Sequence, residues 1–397
     1  MPNRGKFIGN DNLYVPDAPT IGDATAGNAE VSVTFTAPSD VGNDAITAYG
    51  ASATDGTNVI GATGSSSPIT VTGLSNGTSY TAQVWAINDY GNGPLSAATS
   101  SFSPVAPIGL FMGGEPSNNN QVNAVEKITI SSASNSTDFG DLSTVKVQGG
   151  ACSSSTRALY GGGYGSGGLG TFNVIEYFTF SSAGNATDFG DLSIANYGIM
   201  SLSNSTRGIF SGGQDGFGNA KNLIEYVTIA STGNVTDFGD LTVAKKLGAT
   251  AASTTRGVFY GGAVNVIDYI TIASTGNATD FGDATIYEDT IGGASNSTTG
   301  VFSGNSQTNG TIYKINIAST GNDSTFGGNL SDSRINIGAT SSSTRAVFGG
   351  GMNNSDVRVK TMDFITYSSA GNAQDFGDLI TIAGYNPKAT SNSHGGL

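Results

Sequence analysis

One phrase, close to Gly-Asn-Ala-Thr-Asp-Phe-Gly-Asp-Leu, occurs six times in this chain, and its spacing limits what the chain can fold into. Its phenylalanine falls at Phe139, Phe189, Phe238, Phe281, Phe326 and Phe376, at intervals of 50, 49, 43, 45 and 50 residues. The fifth copy is degraded, with Thr325 in place of the first Asp. The third unit shows the surrounding pattern: a run over 207–213, a variable loop, a run over 223–230, the turn 231–234, a run over 235–241 and a run over 247–253. Four short β-type runs, each ended by Gly, Asn or Ser/Thr, predict a four-stranded meander. The Thr-Gly-Asn turn predicts a positive φ, which Gly and Asn tolerate best.

The second run is apolar on both faces, with Ile224, Tyr226 and Thr228 alternating with Leu223, Val227 and Ile229, interrupted by Glu225. Such a strand must be covered on both sides, which radially stacked sheets achieve. Six copies of a four-stranded unit with this period predict a six-bladed β-propeller. The first unit lacks a preceding strand, and the C-terminal stretch 389–397 matches 249–258 with a two-residue gap. The C-terminus is therefore expected to supply the missing strand and keep the ring from opening. Composition agrees: 59 of 397 residues are Gly, against about 7 % in an average protein, without a collagen period.

The residues Gly212-Gly213, Glu225-Tyr226, Phe238, Leu241 and Arg256 make a pattern similar to the kelch repeat, with Phe where kelch has Trp. The resemblance covers about residues 107–397 and implies fold, not activity. Residues 16–104 resemble a fibronectin type III domain, from Pro16-Asp-Ala-Pro-Thr20 and from the stretch 72–93. That resemblance implies a β-sandwich with Leu74 and Tyr80 in a tyrosine corner, Val84 and Ala86 inward, and Phe35 where the family has Trp. Trp85 is expected to face outward or towards a neighbouring domain. The domain reading is a polar arm over 1–15 with Phe7, Leu13 and Tyr14 available to dock, the sandwich over 16–104, and the propeller over 105–397.

Charge and rare residues exclude several functions. Lys plus Arg total 16 against 30 Asp plus Glu, a net charge of −14 without a basic cluster, which argues against nucleic acid and anionic membranes. A single Cys152 forbids an intrachain disulfide, and a single His394 forbids a His-based metal cluster. No cofactor is expected. No apolar run has signal-peptide or membrane-span length, so a soluble chain outside the general secretory route is expected.

Asp-Phe-Gly without phosphate and catalytic loops is a coincidental match to the kinase triplet. Paired carboxylates such as Asp188 and Asp191 could share calcium, but capping of turn donors by Asp is the favoured reading. Ser136-Thr-Asp-Phe-Gly140 also resembles the Asp-box of sialidases, which need three convergent arginines. Arg157, Arg207, Arg256 and Arg345 are repeat-equivalent, so they are expected one per blade in a stacked or exposed structural role. His394 aligns with the same position of the closing blade and is read as structural. Sequons such as Asn185, Asn234 and Asn277 recur at one repeat position, which favours a turn role over glycosylation.

What varies is the loop after each Gly-Gly: 115–124, 164–173, 214–222, 263–265, 305–311 and 352–362. All six are expected on one face, where binding surfaces are built, although neutral drift explains their variation as well. Asn119, Tyr164, Phe172, Gln214, Phe217, Asn305 and Arg358 are the candidate ligand-binding residues, suited to sugar contacts. Repeats of this type look like those in structural proteins of marine tailed phages. The leading expectation is a non-enzymatic virion protein, exposed on a particle assembled in the host cytoplasm, bound to other virion proteins through residues 1–104, open to oligomerisation and displaying its propeller for host-glycan adhesion or decoration. A propeller glycosidase would need a carboxylate cluster; Glu115, Asp215, Glu288 and Asp356 are isolated in sequence. A bacterial surface lectin is the third reading.

Overall fold

Alternation sets the first part of the chain. Glu30–Thr36 buries Val31, Val33 and Phe35, and Thr81–Asn88 buries Ala82, Val84, Ala86 and Asn88. Burial at every second position makes a strand with one covered face, and two such sheets can cover each other. The computed structural model describes residues 14–117, 120–287, 291–304, 310–382 and 384–397. It divides into two units, 1–106 and 107–397, and among the described residues both are all-β.

In the first unit one sheet holds Thr20–Ala26, Glu30–Thr36 and Ile69–Thr72. The other holds Val59–Gly64, Ala48–Thr54, Thr81–Asn88 and Gly91–Asn92. Their inner faces share a single apolar cluster that includes Val33, Val71, Leu74, Tyr80 and Val84. The Tyr80 hydroxyl accepts a hydrogen bond from the Ser75 amide at 3.1 Å, the upstream backbone bond that defines a tyrosine corner. Phe35 is buried and packs on Tyr49 with ring centroids 4.8 Å apart. Trp85 lies half-buried on the opposite face, over Gly50, where a Cβ would come within 2.1 Å of its ring. Of the expected arm, Phe7 and Leu13 lie outside the described residues. Inside this unit Tyr14 donates its amide to Asn43 Oδ1 at 3.2 Å and accepts the Asn43 amide at 3.3 Å.

The second unit consists mainly of six four-stranded antiparallel sheets, here I to VI, with strands a to d in spatial order. Sheet II runs Gly150–Ser153, Arg157–Gly161, Val174–Thr179, Thr187–Asp191, and sheet III Tyr197–Ser203, Arg207–Gln214, Lys221–Thr228, Thr236–Lys245. Sheet IV runs Ala249–Ala252, Arg256–Tyr260, Val266–Thr271, Thr279–Asp283, and sheet V Gly292–Ser295, Thr299–Ser303, Thr311–Asn316, Ser324–Asn329. Sheet VI runs Gly338–Ser341, Arg345–Gly349, Thr361–Thr366, Gln374–Asp378. Sheet I takes its strands b to d from Ile108–Ser117, Asn120–Thr129 and Thr137–Asp141. Its strand a is the C-terminal Lys388–Ser391, with Lys388 opposite Met112 and Ser391 opposite Gly109.

The run over 247–253 does not belong to the unit before it. The structure pairs Ala249–Ala252 with Arg256–Tyr260 instead, because the chain crosses to the next sheet after each strand d. Strand a of every sheet packs against strand a of the next, and those of VI and I also pack together. Strand b is buried along nearly its whole length. Tyr160 joins Leu110 and Phe139 of sheet I on one side, while Leu159 joins Phe210 and Val227 of sheet III on the other.

The repeated phrase holds the sheets to one another. Gly190 of Asp-Phe-Gly lies so close to the Gly233-Asn234 turn of sheet III that a Cβ would stand 2.3 Å from the Gly233 oxygen. Gly233 and Val235 donate their amides to Phe189 and Asp191 oxygens at 2.7 and 3.0 Å. Asp191 returns its own amide to Asn234 Oδ1 at 3.0 Å. The same amide-to-Asn bond recurs from Asp141 to Asn185, Asp240 to Asn277, Asp283 to Asn322 and Asn329 to Asn372. It recurs once more from Asp378 of sheet VI to Asn135 of sheet I, at 2.9 Å. Asn is therefore present for its reach to the preceding sheet, while the positive φ of the turn belongs to Gly, at 157° for Gly233.

Buried carboxylates in strand c tie down the crossovers. Glu126 accepts the amides of Ile380, Thr381 and Ile382 at 2.6–2.8 Å. Glu176 accepts the Ser143 amide and pairs with Lys146 at 2.6 Å. Asp268 accepts the Thr242 hydroxyl and pairs with Lys245 at 3.0 Å, both side chains fully buried. Asp363 pairs with Arg334 at 2.6 Å. Burial pulls the Lys146 and Lys245 ammonium groups below the usual lysine range, and the paired acids oppose that pull.

Two outcomes are expected. Gly190→Ala should lower unfolding free energy by about 2 kcal/mol or more, while Gly184→Ala, which meets open space, should change it by less than about 0.5 kcal/mol in urea titrations. Asp268→Ala should cost about 3–5 kcal/mol by stranding the Lys245 charge, and the double change Asp268→Leu/Lys245→Met should recover most of that loss.

Candidate functional site

The repeat-equivalent arginines do not converge. Arg157, Arg207 and Arg256 lie over the rings of Tyr177, Tyr226 and Tyr269 at 4.8, 4.6 and 4.4 Å, and Arg345 lies over Phe364 at 4.5 Å. Each then donates to backbone oxygens of the next sheet, as Arg157 does to Ala230 and Arg345 to Ser131, both at 2.9 Å. They are stacked clamps between sheets. Sheet V has Thr299 at this position, and a cavity of about 390 Å³ opens there beside Lys314 and Asn316.

Nor is general capping by Asp found. In sheets I, II and IV the first Asp of the phrase is exposed, and the second contributes its backbone amide to Asn of the next sheet. Asp375, which accepts the Gly377 amide at 3.3 Å, does cap its own turn. Among the described residues no three His, Cys, Asp or Glu side chains come together as metal ligands.

The a strands of all six sheets line two small cavities, of about 60 and 50 Å³. Serine hydroxyls bond from sheet to sheet around them: Ser203 to Ser153 oxygen, Ser153 to Ser391, Ser391 to Ser341, Ser341 to Ser295, and Ser295 to Ala252. Ala252 has no hydroxyl to continue the circuit to Ser203. His394 sits on the neighbouring link instead, with Nε2 at 3.1 Å from both the Ser203 hydroxyl and the Ser153 oxygen. His394 thus does not take the arginine position that the gapped alignment assigned to it. After Ser391 the chain turns into the cavity rather than into a strand b.

Burial lowers the His394 imidazole to about 4. The unfolded chain then takes up a proton near pH 6.5 that the folded chain refuses, so stability is full above pH 6.5 and falls as pH drops towards 4. For this half-buried ring the loss should be on the order of 2 kcal/mol. Thermal unfolding of the wild type and His394→Gln across that window should show the larger loss in the wild type.

Variable loops and crossovers together build a larger concavity, of about 390 Å³, lined by Glu115, Gln121, Tyr164, Tyr197, Gln214 and Lys246. Gln148 and Tyr385 complete the wall. Tyr164 and Tyr197 stand with ring centroids 5.5 Å apart. Gln214 Oε1 accepts from Lys246 Nζ at 3.1 Å, and Gln121 Oε1 accepts from the Ser166 amide at 2.8 Å. Arg358 is ion-paired to Glu115 at 2.8 Å.

Of the candidates, Tyr164 and Gln214 line this pocket, and Arg358 fixes one of its walls. Phe217 is 93 % exposed at the tip of a turn organised by Asp215, outside the lining. Phe172 is half-buried, with Lys146 Nζ 5.6 Å from its ring centroid. Asn119, Asn305 and Glu288 lie outside the described residues. The sequence reading missed Lys246 and Gln148, which lie on crossovers rather than loops. Lys246 stood beside the buried Lys245 in a Lys-Lys pair, an available signal in so lysine-poor a chain.

Residues 17–102 match the model of the fibronectin type III domain, which agrees with the corner at Tyr80. No curated protein sequence matches the chain.

Proposed function

We propose that the second unit is a six-bladed, kelch-like β-propeller and that the chain is a non-enzymatic structural protein of a bacteriophage virion, contacting host-surface glycan through its loop face. The serine circuit, the six like-built joints and the pairing of the C-terminal strand into sheet I support the propeller reading. The observation that carries the functional reading is the pocket built by loops and crossovers, with its tyrosines and glutamines, on a scaffold whose joints are backbone-to-backbone.

In such a design the scaffold is indifferent to the loops. Joints, arginine clamps and buried carboxylates lie in strands, turns and crossovers, so loops can change without loss of the ring. Tyrosine faces stack on the C–H surface of a sugar ring, and amides bond its hydroxyls. Glycoside cleavage uses two carboxylates in separate roles, and among the described lining residues Glu115 is the one carboxylate, already paired with Arg358. The fibronectin-like domain and the residues before it would join the protein to the particle.

Antibodies to this chain should label purified virions in electron micrographs, and absence from purified particles would sink the virion assignment. The isolated chain should bind host cells, and periodate treatment of the cell surface should abolish that binding while protease treatment leaves it.

A further inference from the structure

We propose that the loop-side pocket receives a sugar unit carrying one negative charge, with Lys246 as the anchor of its anionic group. This rests on the glycan-contact reading above and adds the charge of the ligand.

Charge within the pocket runs against the charge of the chain. The protein carries −14 overall. At the pocket, however, Glu115 is paired with Arg358, and Asp215, whose charge is felt by Tyr197, is paired with Lys221, both at 2.8 Å. Each acid has its own cation. Lys246 has none: its hydrogen bond goes to the neutral amide oxygen of Gln214, and no carboxylate among the described residues lies within ion-pair distance of it. An ammonium group has three donors, so two remain for a ligand. A half-buried cation whose partner is neutral gains most from an anionic oxygen, because charge-assisted hydrogen bonds are roughly twice as strong as neutral ones.

A small free anion would leave the rest of the pocket unused. Gln148 is more than nine-tenths buried and lines the cavity, and its amide makes no hydrogen bond among the described residues. Its amide faces the cavity and both donates and accepts, as adjacent sugar hydroxyls do. Tyr164 and Tyr197 offer ring faces for the apolar side of a pyranose. A cavity of about 390 Å³ falls within the usual range for small-ligand sites. An anionic monosaccharide unit satisfies ammonium, amide and aromatic pair together. Its charge can come from a carboxylate, as in a uronic acid, or from a sulfate ester.

The test is ligand-observed saturation-transfer NMR with titration on the full chain, using methyl β-glucuronide, glucose 6-sulfate and neutral methyl β-glucoside. The wild type should bind at least one anionic sugar about tenfold or more tightly than the glucoside. Lys246→Met should bring the anionic sugar to the level of the glucoside, Lys246→Arg should keep the preference, and Gln148→Leu should weaken binding of the sugars generally. Binding of both anionic sugars assigns the preference to charge, and binding of the glucuronide alone assigns it to the carboxylate; both support the proposal. Equal binding of glucoside and anionic sugars, or a preference that survives Lys246→Met with an unchanged melting temperature, overturns it. Failure of all three sugars to bind the folded chain also overturns it. Cell binding abolished by periodate would then leave the broader glycan reading standing without this pocket.

Discussion

Where one sheet of the second unit meets the next, a glycine of the repeated phrase on the first sheet has no room for a side chain. At Gly190 and Gly233, and at the matching pairs around the unit, backbone lies directly on backbone, and amide hydrogen bonds run in both directions across the joint. The spacing of sheets at this edge is therefore set by main-chain geometry rather than by side-chain volume, and it is the same at every joint. Equal spacing lets the last sheet meet the first through Asp378 and Asn135 as sheet II meets sheet III. It also fixes how far each arginine must reach to the next sheet and how far apart the serines of the a strands stand. The Arg–aromatic stacks and the serine circuit are possible because the backbone joint has already determined the distance.

The repeated phrase contained both halves of this joint, yet the joint itself was not legible. Gly190 and Asn234 belong to different copies of the phrase, and nothing local shows that one copy binds the next. Asn was consequently read as a turn former and Asp as a cap, when the Asn side chain reaches across and Asp supplies a backbone amide. Glu225 looked like an interruption of an apolar run. It occupies the position at which sheets I, II, IV and VI bury a carboxylate against a crossover, and burial pushes its own carboxyl up. Features carried within one stretch were read correctly, such as the Tyr80 corner, whose acceptor and donor are only five residues apart. In the pocket, Tyr164 and Gln214 were found because they belong to loops that differ between units. Lys246 and Gln148 were missed because strand-like patterning hid the crossovers that carry them.

Scaffold and site thus draw on different residues. The joints use glycine, asparagine and main chain; the crossovers use buried acids; the pocket uses tyrosine, glutamine and a lysine without an acid partner. Lys245 and Lys246 show the division most closely. The first is fully buried against Asp268 and holds a crossover, while the second turns to the pocket and meets a neutral amide. Adjacent lysines face different environments because side chains alternate along an extended backbone.

Where the repeat fails, the contact is supplied from elsewhere, which argues that the fold requires the contact rather than the residue. Sheet V has Tyr313 where other sheets carry a strand-c acid, and Asp323 takes over, accepting the Thr285 amide and hydroxyl at 2.9 and 2.6 Å. The degraded fifth phrase shifts its joint by one residue, so that Gly328 rather than Gly327 lies against Gly371. Ala252 interrupts the serine circuit, and Thr250 ties sheet IV to sheet III instead, its hydroxyl donating to the Ser201 oxygen at 2.7 Å. Thr299 behaves differently: the arginine is lost and a cavity of about 390 Å³ stands in its place. The difference follows from position. Strand-c acids, joints and a strands lie where buried polar groups or backbone would be left without partners, a cost of about 1–3 kcal/mol each. The arginine clamps sit at a solvent-accessible edge, where water can satisfy the carbonyls that the arginine would have bonded.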